Sequence, residues 1–436
     1  MVKVDGRIRL ADQRPITAQE FERARSVCER IRRLVASRAD SIAKGRLDPT
    51  IALPGNNWSP DADQPFLNRY RQIVQCRFEI IQNLRLYAQF SGYDLATQAI
   101  VTHGRQVPEV LETFDQEIER LAPNPDDWVE RYRAITRHIP ADIIPSYPVV
   151  MGEIGWRVGG KPVNHDVYAY QERTNLLFES GVIECLRSRA RRTGRVTVLE
   201  IGGGYGGLAH ALFEIIPNRI NYFVCDLPES ILSSAIYLGI IHPEVDQNIY
   251  EGTNLETLKP PACPAITFVP NYLLDDLLAL NPQVDLAINT LSFPEMTEAQ
   301  VRYYGERLRR LLDKTGMLFE QNEDGRWMGL LDCKSILSEY LPHRATVRSK
   351  TVPVLSKGEA DLWSNSPLTE IIPDSCLPFR KATQRLCLWF WRMLWLARVP
   401  SWALIRIRQW LHKNVSPETF LRIKKCWNRV GGRMPS

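Results

Sequence analysis

The 436-residue sequence predicts an α/β fold: a Rossmann-like parallel sheet with helices on both faces, a mostly helical region before it and a basic, tryptophan-rich helical tail after it. Three observations predict this. Between residues 163 and about 367, apolar runs of strand length alternate with helix-length segments, the pattern of parallel strands joined by helices. One run, 196–201, passes directly into Gly-Gly-Gly-Tyr-Gly-Gly at 202–207, a strand–turn–helix junction. The chain on either side lacks strand alternation and carries helix periodicity instead.

The elements follow in order from local signals. Thr17-Ala-Gln-Glu20 reads as a capping box opening a helix towards Ser41. Further helices are expected over 66–90, 107–121 and 126–138. A Pro- and Gly-rich loop at 143–162 marks the expected boundary between a helical N-terminal domain (1–145) and the sheet domain (146–370), with a tail at 371–436. Strands are expected at 196–201, 220–225, 266–270, 284–289 and 316–321, with later ones near 345–348 and 361–363. Helices fill the gaps at 206–216, 228–241, 272–280 and 297–313. Pro228 at a helix start and Thr297-Glu-Ala-Gln300, a second capping box, fix two of these boundaries. Ligands of such sheets bind beyond the carboxyl ends of the strands. Those ends, Glu200/Gly202, Asp226, Asn271, Asn289 and Gln321/Asn322, should converge on one crevice.

The glycine turn is where chemistry is expected. Gly202, Gly203, Gly204 and Gly206 lack a Cβ, so the backbone takes unusual dihedrals and approaches a ligand closely. Two ligand classes compete for it. Gly202, Gly204 and Gly207 satisfy G-x-G-x-x-G, the dinucleotide pattern, whose pyrophosphate rests on a helix N-terminus. Glu200, two residues before the first glycine, argues instead for the ammonium and sulfonium end of S-adenosyl-L-methionine, because opposite charges attract. Asp226, closing the next strand, suits a ribose diol under either reading and also suits a helix N-cap.

Charge and cysteine usage exclude other classes. The net charge of +5 is the sum of two opposed parts. Residues 380–436 carry 13 Lys and Arg against one acid, and residues 1–379 carry 42 basic against 49 acidic groups. An acidic body argues against a nucleic-acid groove, which needs clustered cations. The nine cysteines form no C-x-x-C pair, so neither a disulfide framework nor a metal site is expected, in keeping with the cytoplasm. The N-terminal Met-Val-Lys-Val-Asp-Gly-Arg lacks the apolar core of a signal peptide.

Three segments stand out: Val198-Leu-Glu-Ile-Gly-Gly-Gly-Tyr-Gly-Gly207, Tyr222-Phe-Val-Cys-Asp-Leu-Pro-Glu229, and Asp285-Leu-Ala-Ile-Asn-Thr-Leu-Ser-Phe-Pro-Glu-Met296 with Tyr303-Tyr304 after it. Together they resemble the bacterial sugar O-methyltransferases, a branch of the class I S-adenosylmethionine-dependent enzymes. The likeness covers roughly residues 145–330, and at Phe319-Glu-Gln-Asn322 only the final Asn matches. It implies methyl transfer to a sugar hydroxyl of a surface polysaccharide or glycolipid. It also implies that Glu200 and the glycines flank the methionine end of the cofactor, Asp226 holds the ribose, Leu227 packs on adenine and Asn271 lies near its edge. Asn289 is expected beside the cofactor, and Asn322 and Tyr168 at the acceptor.

In-line methyl transfer needs alignment above all, which supplies about 7–11 kcal/mol in favourable cases. A sulfonium is already electrophilic, so no metal is required. A sugar hydroxyl is a weak nucleophile, and a general base adds about 10²–10⁴-fold. Glu295 and His165 are the expected candidates; each also reads as an ordinary loop or first-turn residue. In the tail, six of the chain's 11 tryptophans lie beyond residue 380. Around a helix from Ser416-Pro417, Phe420, Ile423, Trp427 and Val430 share one face and Arg422, Lys425 and Arg429 the other. Aromatic anchors with cations suit an anionic membrane surface, so a peripheral place on the inner face of the cytoplasmic membrane is expected; packing on the acidic body is the alternative.

Overall fold

The computed structural model describes residues 4–55, 64–88, 107–121, 124, 127–259, 264–322, 330–349 and 358–377. The chain divides into two units, Met1–Cys376 and Leu377–Ser436. The tail read as membrane-binding, 380–436, lies outside the described residues.

Strands β1 (Val4–Ile8), β2 (Gly155–Val158) and β3 (Lys161–Val163) form a small antiparallel sheet. The main sheet contains β4 (Val196–Ile201), β5 (Ile220–Asp226), β6 (Asp246–Ile249), β7 (Ala265–Pro270), β8 (Leu286–Thr290), β9 (Met317–Gln321), β10 (His343–Arg348) and β11 (Glu359–Ser364). Their spatial order is β10-β11-β9-β8-β4-β5-β7-β6. Every pairing is parallel except those of β11, which runs antiparallel to β9 and β10. This is the Rossmann-like α/β sheet that the sequence predicts. Chain progression reverses between β4 and β8, and such a switch point leaves a crevice beyond the strand ends.

The central strands β4, β5, β7, β8 and β9 are almost wholly buried and largely apolar because both their faces are covered. Val196 and Val198 of β4 join one core while Leu199 and Ile201 join the other, the period-2 alternation of a pleated strand. Tyr222 and Val224 of β5 share the first face, Phe223 and Cys225 the second. Glu200 therefore lies on the Tyr222 side of the sheet.

The N-terminal helices belong to that first core. The helix Ala18–Ala43 starts at the expected capping box, with Thr17 accepting from the Glu20 N–H and Glu20 reaching back to Thr17. Its Ala24, Cys28, Ile31 and Leu34 are buried in the cluster that covers one sheet face. One turn on, Arg38 forms a buried bidentate pair with Glu229 of the helix Pro228–Ile241.

Three expectations are corrected. The helix expected over 66–90 is broken into Gln64–Ile73, Phe78–Gln82 and Leu84–Ala88, with Cys76 left-handed at φ 54°. The supposed loop at 143–162 contains β2 and runs into β3, a hairpin that recruits the chain's first residues as a third strand. An edge strand, β6, joins β7 although its Asp-Gln-Asn-Ile carries no apolar run.

Removing one member of the Arg38–Glu229 pair strands a buried charge, so Glu229→Gln is expected to lower unfolding free energy by about 3–5 kcal/mol. Urea titration measures this; a loss no larger than that of the exposed-pair variant Glu22→Gln would contradict it.

Candidate functional site

An open cleft lies over the carboxyl ends of β4, β5, β7 and β8. It is lined by Glu200, Gly202, Gly203, Gly204, Asp226, Leu227, Asn271 and Glu295 among the expected residues. Its shape begins with the glycine turn. Gly202 takes φ +79°, and a Cβ there would stand 2.3 Å from Ser292 Oγ, so a side chain fits neither the dihedral nor the space. That close approach brings the turn after β4 against the loop after β8.

Two acids face each other across the turn. Glu200 is 2% exposed and accepts a hydrogen bond from Tyr222 Oη at 2.9 Å. Burial raises its carboxyl to about 8; the Tyr222 bond and the Arg173 charge oppose that shift, and Asp226 adds to it. Asp226 is raised to about 7, again chiefly by burial, against hydrogen bonds from the Leu227 N–H, Ser230 and the N–H groups of Gly203 and Gly204. Asp226 does not cap the following helix: Leu227 occupies that position, and its N–H reaches Asp226 Oδ1 at 2.8 Å. Burial favours the protonated form of both acids, Glu200 more than Asp226; a cation in the cleft favours the ionised forms.

The far wall comes from a distant part of the chain. Asn271 Nδ2 donates to the Ile51 carbonyl at 2.6 Å and Gln300 Nε2 to the Leu53 carbonyl at 2.8 Å. Together they hold a strap, the short helix Pro49–Ala52 and the residues after it, so that Pro54 and Gly55 line the cleft. Asn271 is 3% exposed, and its Oδ1 has no hydrogen-bond partner, an acceptor facing no protein donor. Leu291, 37% exposed at φ 61°, also lines the cleft; a bulky residue held left-handed is strained, as functional loops often are.

These features fit a cationic nucleoside. Glu200 would suit a positive group, Asp226 a diol, and the orphan Asn271 oxygen an amine donor. Among the described residues no group of His, Cys, Asp and Glu could hold a metal ion.

Five predicted residues do not line the cleft. Gly206 sits behind the turn as the residue before the helix Gly207–Ile215, where a Cβ would meet Leu238 at 2.9 Å, so it serves packing. Asn289 is fully buried and spends its amide inside the protein, donating to the Ile201 carbonyl and Ser292 Oγ and accepting from the Phe293 N–H and Asn322 Nδ2. It braces the switch-point loop. Asn322, tied to Asn289 at 2.9 Å, is 6% exposed. Tyr168 bonds Glu172 at 3.1 Å, and His165 packs edge-on against Trp128. Both stand on the helix His165–Glu179, beside the cleft rather than in it.

Sequence reasoning missed Tyr170, Arg173, Ser230, Thr290, Ser292, Gln300 and Tyr304, which also line the cleft. Ser292 and Thr290 lie inside the quoted 285–296 segment and were open to discovery there. Tyr170 and Arg173 carry no local signal, because only tertiary packing brings their helix to the strand ends.

No family model matches the sequence, and no curated protein matches it. Solved structures match weakly. An arsenic(III) S-adenosylmethionine methyltransferase from Chlamydomonas reinhardtii is 13% identical over 38% of this chain and 61% of its own, with a TM-score of 0.23. Magnesium protoporphyrin IX methyltransferase from Synechocystis PCC 6803, solved with S-adenosylmethionine bound, is 11% identical over 54% of this chain and 90% of its own, with a TM-score of 0.24. MNMC2 from Aquifex aeolicus is 11% identical over 64% of this chain and 94% of its own, with a TM-score of 0.31. This chain spans less than two thirds of the first of these. Likeness at this level carries nothing about ligand or reaction, which rest here on the cleft itself.

A carboxyl whose folded value lies above its unfolded one binds its proton more tightly in the folded chain, so stability falls as pH rises between the two. For Glu200 that window runs from 4.5 to about 8. The ligand-free protein is expected to lose melting temperature across it, and Glu200→Gln to flatten the decline. An unchanged slope in the variant would show that Glu200 is ionised and satisfied without a ligand.

Proposed function

We propose that this chain is an S-adenosylmethionine-dependent O-methyltransferase that acts on a sugar hydroxyl of a surface polysaccharide or glycolipid precursor. The observation that supports it most is the pair Glu200, buried, and Asp226, half-buried, flanking a glycine turn at the switch point of the sheet. A pyrophosphate brought to the same turn would meet two carboxyls, with Arg173 as the cation in the cleft lining.

In this reading Glu200 holds the ammonium of the methionine moiety, Asp226 the ribose hydroxyls, and Leu227 and Asn271 the adenine. When bound, the cofactor supplies an electrophilic methyl group on a sulfonium. The chain's part is to fix that group's direction and exclude water, with Pro54 and Gly55 of the strap covering one side. The sugar acceptor is supported by the likeness of the segments at 222–229 and 285–296 to sugar O-methyltransferases. The basic tail would hold the protein against anionic lipid, where a lipid-carried acceptor resides. Among the described residues no helix is long and apolar enough to cross a membrane.

Calorimetry with S-adenosylhomocysteine is expected to show binding, and NAD none. Asp226→Asn should weaken the former about 10- to 100-fold, the value of a hydrogen bond to a charged group. Labelled methyl transfer into an envelope glycan completes the test; a chain that binds the cofactor and labels no glycan would refute the acceptor, and tight NAD binding the whole reading. Deleting residues 380–436 is expected to abolish co-sedimentation with anionic liposomes, and unchanged sedimentation would contradict a membrane role for the tail.

A further inference from the structure

The helix His165–Glu179 carries a second polar cluster beside the cleft. Asn164 caps it, accepting from the Val167 N–H at 2.9 Å, which fixes the helix's rotation. His165, Tyr168 and Glu172 then fall at i, i+3 and i+7 along one face. Against that face packs the helix Asp127–Thr136, which brings Trp128. Its ring centroid lies 4.3 Å from His165 and 5.3 Å from Tyr168, and the Arg131 guanidinium lies over the ring at 4.6 Å.

Glu172 is partly exposed and held from two sides. Tyr168 Oη donates to Oε1 at 3.1 Å, and Gln321 Nε2 donates to Oε2 at 3.3 Å. Gln321 is the last residue of β9, paired in register with Thr290, which lines the cleft. The other end of the same amide, Gln321 Oε1, accepts from Arg173 Nε at 3.0 Å, and Arg173 lines the cleft close enough to influence Glu200. Glu172 is thus joined by two hydrogen bonds to the Glu200 side of the cleft. Glu295 stands on the opposite side, where its carbonyl would lie 2.9 Å from a Cβ on Gly55 of the strap.

We propose that this face is the acceptor subsite for a hydroxylated ring, with the half-buried Trp128 as its wall, the buried Tyr168 backing it, and Glu172 as the group that takes the hydroxyl proton. The inference rests on the methyltransferase reading and names where the acceptor sits. Apolar walls with a few fixed polar groups suit sugar rings, whose C–H faces are apolar and whose hydroxyls need partners. Burial raises the Glu172 carboxyl, against the hydrogen bonds from Tyr168 and Gln321 and the charges of Arg173 and Arg131. A base so raised is better matched to a hydroxyl proton than a solvated carboxylate. In the step, the hydroxyl oxygen bonds the methyl carbon of the sulfonium donor, the carbon–sulfur pair returns to sulfur, and the proton passes to a Glu172 oxygen and then to water.

The test uses full-length protein labelled with fluorotryptophan, with the Trp128 resonance assigned through Trp128→Phe. Methyl glycosides of rhamnose, fucose, mannose and glucose are titrated in the presence of S-adenosylhomocysteine. At least one is expected to shift the Trp128 resonance. Glu172→Gln, which retains the bulk and hydrogen-bonding reach of the side chain, should keep that shift and the S-adenosylhomocysteine affinity. It should lower kcat for methyl transfer to that glycoside about 10²–10⁴-fold with KM unchanged, whereas Glu22→Gln, on the exposed side of the N-terminal helix, should leave kcat near wild type. A Trp128 signal moved by none of the glycosides, or a Glu172→Gln kcat equal to wild type, overturns the inference. Failure of wild type to bind S-adenosylhomocysteine sinks the parent reading instead, so the two failures are told apart.

Discussion

Glu200 is a carboxylate with almost no access to water and no positive partner in contact with it. Charge in such a place is expensive, on the order of several kcal/mol even after relaxation, so burial favours the protonated form and a bound cation the ionised one. Much of the surrounding architecture serves that condition. The parallel sheet puts Glu200 at the switch point, its pleat turns the side chain towards Tyr222, and the glycine turn brings the Ser292 loop against it. Arg173 lowers the carboxyl's value without forming an ion pair with it, which leaves the acid responsive to a ligand.

The N-terminal helices are part of the same device. Arg85 is fully buried between Glu153 and Asp166, with its guanidinium 3.4 Å over the ring of Tyr205, the tyrosine of the glycine turn. Cation–π contact and two ion pairs in a dry interior give the turn a rigid backing. Arg38 does the same for the Asp-Leu-Pro-Glu segment through Glu229. The strap before residue 56 closes the cleft's far wall. Residues distant in sequence thus hold both the back and the rim of the cleft.

What the sequence disclosed follows from this physics. Strands β4, β5, β7, β8 and β9 were legible because strands buried on both faces must be apolar without interruption. Both capping boxes were legible because they are local. β6 was hidden by its polar edge position, and the β2–β3 hairpin by glycines and a proline that read as a linker. The break at Cys76 had no glycine or proline to announce it. At the site, Glu200, Asp226 and the glycines were visible as a spaced motif. Asn289 was read as a ligand contact because it ends a strand at the crevice, yet its amide is consumed in bracing the next loop. Tyr170 and Arg173 reach the cleft through helix packing alone, which no spacing rule reveals.

The central claim is that Glu200 gives up a proton to receive a positively charged nucleoside. Calorimetric titration of S-adenosylmethionine at pH 7 in buffers of different ionisation enthalpy measures that proton directly. Release of about one proton is expected, and it should vanish in Glu200→Gln. Binding with no proton released by the wild type, or with the same release from the variant, would contradict the account.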